Sequence, residues 1–547
     1  MKKLYALCLF FLINAAVRAQ APSWLWAKSA GGSGDDQALS IANDTQGNIY
    51  AAGFFTSPIM IFGSDTLTNT GLNMFLAKYD ATGNIIWAKT SGGSNHNYGN
   101  SVTTDNAGNV YVAGYFSSNT ILFDTILLTR HDTTVIWANL FLVKYDSSGN
   151  VIWARNTTKG ASTASAVTTD NLGNIFISGN CGADSLVIGP DTLFPPSNYD
   201  RFVAKYDTAG NGLWVRGLYT GGGAIDVDAP FISADKYGNL YITGNFHVNV
   251  CVIVSTNLVM QGDDDIYLAK FNSAGNLLWA KRYGESGEDK ASSIASDTSG
   301  NIYITGYFTS NNIDFDSFTL PGIGYTAFVV KLDAGGTAVW AEKFGRLDYP
   351  APTKITADRN GDVYVTGQFS SPALVFTSAD SLVNEGLFLA KYDNNGNFKW
   401  ARDAVRTGIK INKATSVCAD SFGNLYIAGY FASDTLIFDA TTLLDSTSSF
   451  DILIAAISSL VSVEENNALA ENTFSLFPNP SHGKFYILTN PNDQGTVVIY
   501  DMIGKEIDYK IISPGIQQLD LSGQPKGIYF ISIKTESKSY SKRIIIQ

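Results

Sequence analysis

Charged side chains are scarce in this 547-residue chain, in which Asp, Glu, Lys and Arg together make up only 16% of the residues. Soluble proteins usually carry about 25%, so the composition argues against a coiled coil, a helical bundle or a disordered chain. Basic residues are fewer than acidic ones, and the net charge is therefore −12. The chain has no basic tract to neutralise phosphates, which argues against nucleic acid as a partner.

Long hydrophobic runs are missing after the first 19 residues. Lys2 and Lys3 precede the apolar residues 4–16, and residues 17–19 (VRA) place small side chains where signal peptidase cleaves. We therefore assign residues 1–19 to a signal peptide, because this apolar run is too short to span about 30 Å of membrane. No later stretch reaches 18 apolar residues, so we expect no transmembrane segment in the mature chain.

Cysteine and histidine number only four each. Cys8 lies in the signal peptide, and Cys181, Cys251 and Cys418 cannot all pair and show no CxxC spacing. We expect these three to be small buried residues. The patterns HExxH, GxSxG and GxGxxG are all absent, so the sequence predicts no metal site, no cofactor and no recognisable catalytic set.

Glycine, tyrosine and phenylalanine are abundant, with 51, 27 and 32 residues, and they recur in a repeat. One phrase reads Gly-Asn, an aliphatic residue, an aromatic residue, two small or aliphatic residues, and Gly. Short apolar runs that follow a Gly-Asn turn are typical of β-hairpins. The seven copies, 61 to 65 residues apart, start at Gly47, Gly108, Gly173, Gly238, Gly300, Gly361 and Gly423.

A second phrase, FLAKYD followed by a Gly-Asn turn and Trp-Ala-Lys, alternates with the first but has only six copies. Residues 452–458 (ILIAAIS) are similar to a diverged copy of the FLAKYD strand, with Ala455 in the place of Lys. Residues 24–28 (WLWAK) form a Trp-Ala-Lys strand without a partner before it. The two phrases occur in equal numbers only if the N-terminal strand completes the last repeat.

Two hairpins per repeat give four strands, which we place in the second repeat at residues 101–105, 109–116, 141–146 and 150–155. Seven four-stranded sheets of about 60 residues predict an all-β chain, with residues 20–458 as a seven-bladed β-propeller. A ring made from one chain would leave two bare strand edges, so we expect the N-terminal strand to close the last blade. The alternative, a parallel β-helix, usually has much shorter repeats.

The repeat resembles a family of β-propeller repeats found in secreted bacterial proteins. The matching residues are 31–36 (GGSGDD), which lead to Asp44, and 284–289 (GESGED), which lead to Asp297. The third and seventh repeats lack the paired Gly and the acidic pair. The resemblance covers most of residues 24–458, implies the propeller architecture and implies almost nothing about activity.

The composition changes after the repeats. Residues 459–472 predict a linker, and residues 473–547 predict a small antiparallel β-sandwich. This last segment resembles the C-terminal sorting domain of type IX secretion substrates in Bacteroidetes-type bacteria. The resemblance is carried by Pro478, Asn479, Pro480, Gly483, Tyr500, Asp501, Gly504, Gly527, Tyr529, Lys542 and Arg543.

The sorting resemblance implies a route and a partner. It implies passage through the periplasm and export across the outer membrane by the type IX secretion machinery. Removal of the domain, or attachment to surface lipopolysaccharide, would follow. We therefore expect a secreted or surface-attached protein; without the resemblance, the segment would be interpreted as an adhesive β-sandwich module.

Carboxylates in the loops between repeats are the main candidates for a site. They could line one face of the ring and bind a ligand or cation, or act as an acid pair on a glycan. Alternatively, they cap loop N–H groups, which the recurrence of Asp36 and Asp289 at equivalent positions favours. The candidate residues are Asp35, Asp36, Asp226, Asp228, Glu288 and Asp289, with His96 in a further loop of this kind.

Other recurring residues are interpreted as structural. The tryptophan of each Trp-Ala-Lys strand is expected to pack between blades. The lysine of each FLAKYD strand, such as Lys78, is expected to extend to solvent or to pair with a nearby Asp. The segments between the first and second hairpin of a repeat, such as residues 55–74, vary most, and variable loops on a rigid ring favour recognition there.

The sequence as a whole favours a non-enzymatic binding, adhesion or scaffold module for a glycan or protein partner, displayed outside the cell. An alternative is an extracellular polysaccharide hydrolase or lyase that uses the acidic loops of one propeller face. A third possibility is a structural role in the cell envelope without a ligand.

Overall fold

The computed structural model describes residues 21–131, 138–182, 185–195, 200–219, 230–345, 350–370, 372–407, 411–445, 449–458, 475–477, 481, 483–489, 495–501, 505–512, 515–535 and 539–546. Every regular element in these residues is a β-strand, which confirms the all-β prediction. They include no helix of the length and apolarity that a membrane crossing needs. The chain divides into two compact units, residues 1–462 and 463–547.

The first unit contains six four-stranded antiparallel sheets and one six-stranded sheet, whose first four strands form a further sheet of the same kind; these seven groups of four strands are here called blades 1 to 7. The other two strands of the six-stranded sheet are a hairpin of the fourth repeat, which pairs with the last strand of blade 3. Strands A, B, C and D lie side by side in each blade. The A strands are Asp36–Asn43, Asn97–Thr104, Ser162–Thr169, Phe231–Ala234, Asp289–Ser296, Pro350–Ala357 and Asn412–Ala419. The B strands are Ile49–Phe55, Val110–Phe116, Ile175–Cys181, Leu240–Phe246, Ile302–Phe308, Val363–Phe369 and Leu425–Phe431.

The outer half of each blade consists of strands C and D. Because pairing within every blade is antiparallel, the arrangement differs from a parallel β-helix. The C strands are Asn73–Tyr79, Asn139–Tyr145, Asp200–Tyr206, Asp265–Phe271, Thr326–Leu332, Gly386–Tyr392 and Asp451–Ile457. The D strands of blades 1 to 6 are Ile85–Thr90, Val151–Asn156, Gly212–Tyr219, Leu277–Tyr283, Ala338–Phe344 and Phe398–Asp403.

The two ends of the first unit meet in blade 7. The N-terminal strand Trp24–Ala30 is its D strand and pairs antiparallel with the last C strand, with Lys28 opposite Ile454. This is the strand exchange that the repeat count predicts. The A strand of blade 1 also contacts the A strand of blade 7, so the last sheet lies beside the first.

The register in blade 7 corrects one detail of the sequence interpretation. In blade 1 the recurring Lys78 lies opposite Tyr50. In blade 7 the equivalent Tyr426 lies opposite Ala456. Ala456, and not Ala455, therefore takes the place of the lysine.

Aspartate closes the turn between strands A and B. In blade 1, Asp44 Oδ1 accepts the backbone N–H groups of Gln46 and Asn48, both at 2.9 Å. Its Oδ2 accepts the Tyr50 hydroxyl at 3.0 Å. Gly47 has a φ of 83°, a conformation that side chains with a Cβ rarely adopt. The Asp-x-x-Gly-Asn phrase is therefore a structural turn.

A short hairpin follows every B strand, where the sequence interpretation expects a variable loop. Alternate residues such as Met60 and Phe62 are buried. Four-residue strands are too short for their alternation to be recognised in the sequence. In the order of the blades, the hairpin strands are Ile59–Phe62 with Asp65–Thr68, Thr120–Phe123 with Ile126–Thr129, Leu186–Ile188 with Asp191–Leu193, Val250–Ile253 with Thr256–Val259, Asn312–Phe315 with Phe318–Pro321, Leu374–Thr377 with Asp380–Leu382, and Thr435–Phe438 with Thr441–Leu444. In the last hairpin, a third strand, Val405–Thr407, pairs with Thr435–Phe438.

Neighbouring blades are joined through the tryptophan of each D strand. The Trp87 ring lies 6.0 Å from that of Tyr50 in its own blade, and its Nε1 donates to the Ser147 carbonyl of blade 2 at 3.3 Å. Lys78 donates to the same carbonyl at 2.8 Å. These tryptophans therefore pack and bond between blades, as expected. The same hydrogen bond to the next blade is made by Trp26, Trp153, Trp214 and Trp340.

The recurring lysines of strand C do not extend to solvent. Burial lowers their pKa values, and each donates to a turn carbonyl of the next blade. The expected pairing with Asp is clear in blade 6, where Lys391 lies 2.8 Å from Asp362. The buried lysines, each at most 9% exposed, are Lys78, Lys144, Lys205, Lys270 and Lys331.

The A strands of neighbouring blades contact each other and line the axis. Ser40, Ser101 and Ser416 each accept a backbone N–H from the next blade, at 3.1 to 3.2 Å. Lys354 takes this position in blade 6, where burial lowers its pKa. Within the described residues, the Lys354 ammonium has no hydrogen bond or ion pair.

The second unit contains two antiparallel sheets around one core. Phe485 and Leu519 of the first sheet lie in the same buried cluster as Ile499 and Ile544 of the second. This arrangement is the small sandwich that the sequence predicts. The first sheet consists of Ser475–Phe477, Lys484–Thr489 and Gly515–Asp520. The second consists of Glu506–Ile512, Gly495–Tyr500, Gly527–Thr535 and Ser539–Ile546.

Trp24→Ala should lower the free energy of unfolding by about 3–5 kcal/mol. Trp24 is 7% exposed, its ring lies 4.8 Å from that of Phe438, and its Nε1 donates to the Asp403 carbonyl at 3.2 Å. Leu25 of the same strand is 54% exposed, so Leu25→Ala is the control and should cost less than about 0.5 kcal/mol. Denaturant unfolding measures both, and equal losses would contradict the closing role of this strand.

Lys354→Ser should raise stability by about 1 kcal/mol at neutral pH, because a serine can make the hydrogen bond that Ser40, Ser101 and Ser416 make. Burial places the folded-state pKa of Lys354 below its usual 10.5. The unfolded chain therefore binds this proton more tightly, and wild-type stability rises as the pH climbs from the lowered pKa towards 10.5.

The advantage of Lys354→Ser should consequently shrink between pH 7 and pH 10. Thermal unfolding at the two pH values measures this change. The exposed Lys28 lies on an outer strand, so Lys28→Ser should show neither the gain nor the pH dependence. A gain for Lys354→Ser that is equal at both pH values would contradict the assignment to the Lys354 ammonium.

Candidate binding site at the axial opening

Two sets of loops meet at one end of the blades, here called the loop face. They lead from strand D to strand A and from strand B to strand C. The Thr56 N–H donates to the Asp35 carbonyl at 3.0 Å, and the Thr309 N–H donates to the Glu288 carbonyl at 2.9 Å. The loop face thus holds the sequence candidates Asp35 and Glu288, and His96 lies in the equivalent loop of blade 2.

Seven side chains, here called the axial ring, surround the axis at the loop face. Each is the sixth residue of a B strand, and all except Asn245 lie opposite a residue of the A strand that lines the axis. All seven are aromatic or carboxamide residues, and all are half-buried except the buried Asn245. The members are Phe54, Tyr115, Asn180, Asn245, Tyr307, Gln368 and Tyr430.

Three rings across blades 1 and 2 form a continuous aromatic row. Tyr98, the second residue of its A strand, lies opposite Tyr115. Their ring centroids are 4.8 Å apart with an interplanar angle of 25°, and the Phe54 ring lies 4.8 Å from Tyr98 on the other side. Burial raises the pKa values of both tyrosines, and their hydroxyls hydrogen bond to each other. The exposed His96 ring lies 6.5 Å from Tyr98.

A cavity of about 360 Å³ lies on the axis beside blades 4 to 7. Its walls combine amide, hydroxyl, ammonium and aromatic groups from several blades. This composition can bind a polar ligand through hydrogen bonds and stack against an apolar face of it. Among the lining residues are Asn245, Lys290, Tyr307, Thr353, Lys413 and Thr415.

An ion cluster at the edge of this cavity joins side chains of blade 5 to Asp264, which directly precedes the C strand of blade 4. Lys290 Nζ is 2.5 Å from Glu288 and 3.4 Å from Asp264, and the Tyr307 hydroxyl donates to Glu288 at 3.0 Å. Burial raises the pKa of Asp264, and the neighbouring Lys290 only partly offsets this effect. Burial also acts on Glu288, but the hydrogen bonds from Lys290 and Tyr307 outweigh it and lower its pKa. The two carboxyls therefore have pKa values shifted in opposite directions.

Asp36 and Asp289 are fully buried under the loop face. The Asp36 carboxylate accepts the Ser57 hydroxyl at 2.6 Å and the Gly32 N–H at 2.9 Å. Asp289 accepts the Ser310 hydroxyl at 2.7 Å in the same way. Burial raises the pKa of both despite these hydrogen bonds. This geometry favours the capping interpretation, and a ligand-binding role for either stays a prediction.

The remaining sequence candidates differ in their surroundings. Asp35 is exposed and its Oδ1 accepts the Phe450 N–H at 3.1 Å, across the junction of blades 1 and 7. Asp226 and Asp228 lie outside the described residues. Within the described residues, no group of three or more His, Cys, Asp or Glu side chains is arranged to hold a metal ion. Cys181 and Cys251 are buried free thiols, as expected, whereas the free thiol Cys418 is only half-buried.

The axial ring was missed by sequence reasoning, which considered loop carboxylates. A signal existed in the repeat, because each member directly follows the Gly that ends a Gly-Asn phrase. That position is always aromatic or carboxamide, while its neighbours on the strand are mostly small or apolar. Its meaning depends on knowing that seven such positions converge on one axis.

The residues of the predicted sorting signal have structural roles where the structure describes them. Gly483 has a φ of 98° and lies so close to the Ser522 backbone that a Cβ would meet it at 2.5 Å. The Tyr529 hydroxyl donates to the Pro525 carbonyl at 2.6 Å. Asp501 Oδ1 accepts the backbone N–H of the residue four positions on, at 2.9 Å. Tyr500, Gly527, Lys542 and Arg543 lie on paired strands, while Pro478, Asn479, Pro480 and Gly504 lie outside the described residues.

Comparison with known families identifies two parts of the chain. Residues 475–547 match the family described as a secretion system C-terminal sorting domain. Residues 278–314, from the D strand of blade 4 into the hairpin of blade 5, match the family described as a β-propeller repeat. Both sequence-based resemblances are thereby confirmed.

Individual relatives are distant. An uncharacterised WD repeat-containing protein of Acanthamoeba polyphaga mimivirus is 25% identical over 500 residues, which cover 74% of this chain and 36% of that protein. The chain thus spans about a third of the length of this curated relative.

Two solved structures give low similarity scores. A protein of unknown function from Dyadobacter fermentans matches with a TM-score of 0.35 and 10% identity, covering 79% of this chain and 99% of that one. PorZ, described as an essential bacterial surface component of the type IX secretion system of Porphyromonas gingivalis, matches with a TM-score of 0.17 and 10% identity, covering 95% and 100%.

The family matches and the all-β architecture indicate the same two parts of the protein, a set of propeller repeats and a sorting domain. The match at residues 475–547 explains the second unit, and the repeat match explains the blades. This chain carries β-propeller repeats and a type IX C-terminal sorting domain, and the sorting domain indicates secretion and attachment to the cell surface.

Proposed function

We propose that this protein is a non-enzymatic binding module, and that its blades take a glycan or protein partner at the axial opening of the loop face. The axial ring is the observation that carries the proposal. Aromatic faces stack against apolar C–H surfaces, and each carboxamide both donates and accepts hydrogen bonds. These residue types together suit recognition of a polar ligand that has apolar faces.

The scaffold supports such a role. Every ring member is held on a B strand in the interior of a four-stranded sheet. Neighbouring sheets are joined by the tryptophan and lysine hydrogen bonds to the turns of the next blade. Binding groups held in place before the ligand arrives lose little conformational entropy when it binds.

The location of the protein is consistent with the same role. A sorting domain delivers the blades to the cell surface, where the partners within reach are extracellular glycans and the exposed parts of other proteins. Variable side chains on a constant framework are also the arrangement by which rigid folds acquire binding specificity.

A second candidate, a hydrolase or lyase that acts on polysaccharide, is supported by the ion cluster of blade 5. The pKa of Asp264 is raised and the pKa of Glu288 is lowered. A pair of carboxyls with pKa values shifted apart is the arrangement that separates a general acid from a carboxylate. Both groups already bind Lys290, which favours a structural pairing over catalysis.

Selective binding should be found when the chain from residue 20 onwards is tested on a glycan array and, in parallel, against surface proteins. Tyr307→Leu and Tyr430→Leu should each weaken binding of the selected partner by about tenfold, since each removes a stacking face worth on the order of 1 kcal/mol. The control is Tyr237→Leu, because Tyr237 is 64% exposed and lies in an A–B turn at the opposite end of the blades. Partner binding that is unchanged in both ring variants would contradict the axial site.

The same preparation distinguishes binding from hydrolysis. We expect no reducing ends or unsaturated products to be released from any polysaccharide that binds. Product release that Glu288→Gln abolishes would instead establish the second candidate. Glu285→Gln in the same loop is the matched control, because Glu285 lies outside the ion cluster and should not affect release.

A chain that ends at Asn472 should accumulate in the periplasm, because it lacks the sorting domain. Cell fractionation and surface proteolysis, with the full-length chain as the control, measure its location. The truncated protein should be present at normal levels inside the outer membrane and absent from the surface. Surface exposure of the truncated chain would contradict the export role of residues 475–547.

A further inference from the structure

Positive charge is concentrated on the strands that line the axis. In the A strands that the structure describes, Asp36 and Asp289 hold first positions and are buried caps. Every other charged residue of these strands is a lysine, and the three come from the successive blades 5, 6 and 7: Lys290, Lys354 and Lys413. This arrangement is unexpected in a chain with a net charge of −12.

Two of these lysines line the cavity of about 360 Å³ on the axis. Lys290 and Lys413 are each the second residue of an A strand, and each is half-buried. They lie opposite two tyrosines of the axial ring, Tyr307 and Tyr430. The A strand of blade 6 lies between theirs, so the cavity receives one lysine from either side of that blade.

Lys354 adds a third ammonium group at the same cavity. It lies opposite the fourth residue of its B strand, as Phe231 does in blade 4. Phe231 lines the cavity, so a long side chain at this position can extend to it. The Lys354 ammonium has no hydrogen bond or ion pair within the described residues. An ammonium group withdrawn from water without a partner is costly, and an anionic ligand would offset that cost.

The carboxylates nearest the cavity act on Lys290. Glu288 and Asp264 both bind its ammonium group, which has three N–H donors. Lys290 therefore keeps one donor for a ligand, although these carboxylates cancel its charge. At Lys354, burial is the cause of the lowered pKa and no carboxylate opposes it, so this lysine supplies charge that the ion cluster does not offset.

Acceptors for hydroxyl groups complete the walls. The Thr353 hydroxyl donates to the Ala414 carbonyl at 2.6 Å, and the Thr415 hydroxyl donates to the Ala38 carbonyl at 2.8 Å. Both threonines line the cavity, and their oxygens are left to accept hydrogen bonds from a ligand. A carboxylate or sulfate has no proton to donate, whereas a sugar hydroxyl has one.

The size of the cavity distinguishes a sugar from an acidic side chain of a protein. About 360 Å³ lies within the range of small-molecule sites, roughly 300–1,000 Å³. A single aspartate or glutamate side chain would fill only part of it and would leave the threonine oxygens unengaged. Ammonium donors beside hydroxyl acceptors suit a ligand that carries both an anionic group and hydroxyl groups.

From these features we propose that the axial cavity binds an acidic sugar unit of a polysaccharide, whose carboxylate or sulfate is held by Lys290, Lys354 and Lys413. The hydroxyl groups of the sugar donate to Thr353 and Thr415. This assignment rests on the proposed binding function and names both its ligand class and the groups of the axial opening that recognise it.

Isothermal titration calorimetry of the chain from residue 20 onwards tests the assignment. The probes are alginate and polygalacturonate as carboxylated polysaccharides, dextran sulfate as a sulfated one, and galactomannan as a neutral one. We expect at least one acidic polysaccharide to bind more tightly than galactomannan. Added salt should weaken this binding, because salt screens the attraction between charges. The probe that binds best identifies the anionic group as carboxylate or sulfate.

Lys413→Gln should weaken binding of that probe by at least about tenfold, because it removes a charge-assisted hydrogen bond. Lys413→Arg keeps the charge and should stay within about threefold of the wild type. The matched control is Lys236→Gln, which makes the same change in charge at an exposed lysine in an A–B turn at the opposite end of the blades. Thermal unfolding of each variant separates a lost contact from a lost fold.

Lys354→Ser separates binding from stability. It is expected to stabilise the fold and yet to weaken binding of the acidic polysaccharide by about tenfold. Weaker binding by a more stable protein cannot result from unfolding, and a lysine with a purely structural role would not produce it.

The possible failures differ from one another. Acidic polysaccharide binding that Lys413→Gln and Lys354→Ser both leave unchanged, or that Lys236→Gln weakens equally, overturns the cavity assignment and leaves the proposed binding function intact. Binding of galactomannan alone, or selective binding of a surface protein alone, also overturns the acidic-sugar assignment. A wild type that binds neither glycans nor surface proteins overturns the proposed function, and this inference with it.

Discussion

The hydrogen bonds from one blade to the turn of the next are the interaction on which the first unit depends. Trp87 and Lys78 both donate to the Ser147 carbonyl, while the tryptophan packs near Tyr50 of its own blade. A buried lysine ammonium loses its hydration, and burial lowers its pKa, so its pairing with a carbonyl offsets part of that cost. The contact recurs around the ring, except from blade 6 to blade 7, where Trp400 Nε1 has no hydrogen-bond partner in the described residues and Lys391 pairs with Asp362 of its own blade.

A consequence of this repeated contact is that the positions at the axis are free to differ. The A-strand position that holds Ser40 and Ser101 holds Lys354 in blade 6. At the loop face, the sixth B-strand position holds Phe54 in one blade and Asn180 in another. The framework therefore supports a set of side chains that packing does not dictate, and a binding surface can develop there.

Parts of the fold and of the site could be predicted from particular residues. The Asp-x-x-Gly-Asn turns, the six complete tryptophan strands and the unpaired residues 24–28 were sufficient to predict four-stranded sheets and the strand exchange in blade 7. For the lysines of strand C, the expected pairing with Asp is found at Lys391, while the expected exposure to solvent was wrong, because whether a lysine such as Lys78 reaches water or a carbonyl depends on the neighbouring blade. The hairpins after the B strands were missed for a similar reason, since residues such as Met60 are apolar only in alternation over four positions.

The sequence by itself determined the all-β architecture, the repeat and the sorting domain, because strand alternation, turn chemistry and ordered motifs are local properties of the chain. Only the tertiary structure decided which polar residues are buried as caps and which face an opening. Asp36 and Glu288 look alike in the sequence, yet one is enclosed by Ser57 and loop N–H groups while the other faces Tyr307 and Lys290. The axial ring likewise exists only once residues about 60 positions apart are brought around one axis, since no local pattern records which side chains converge.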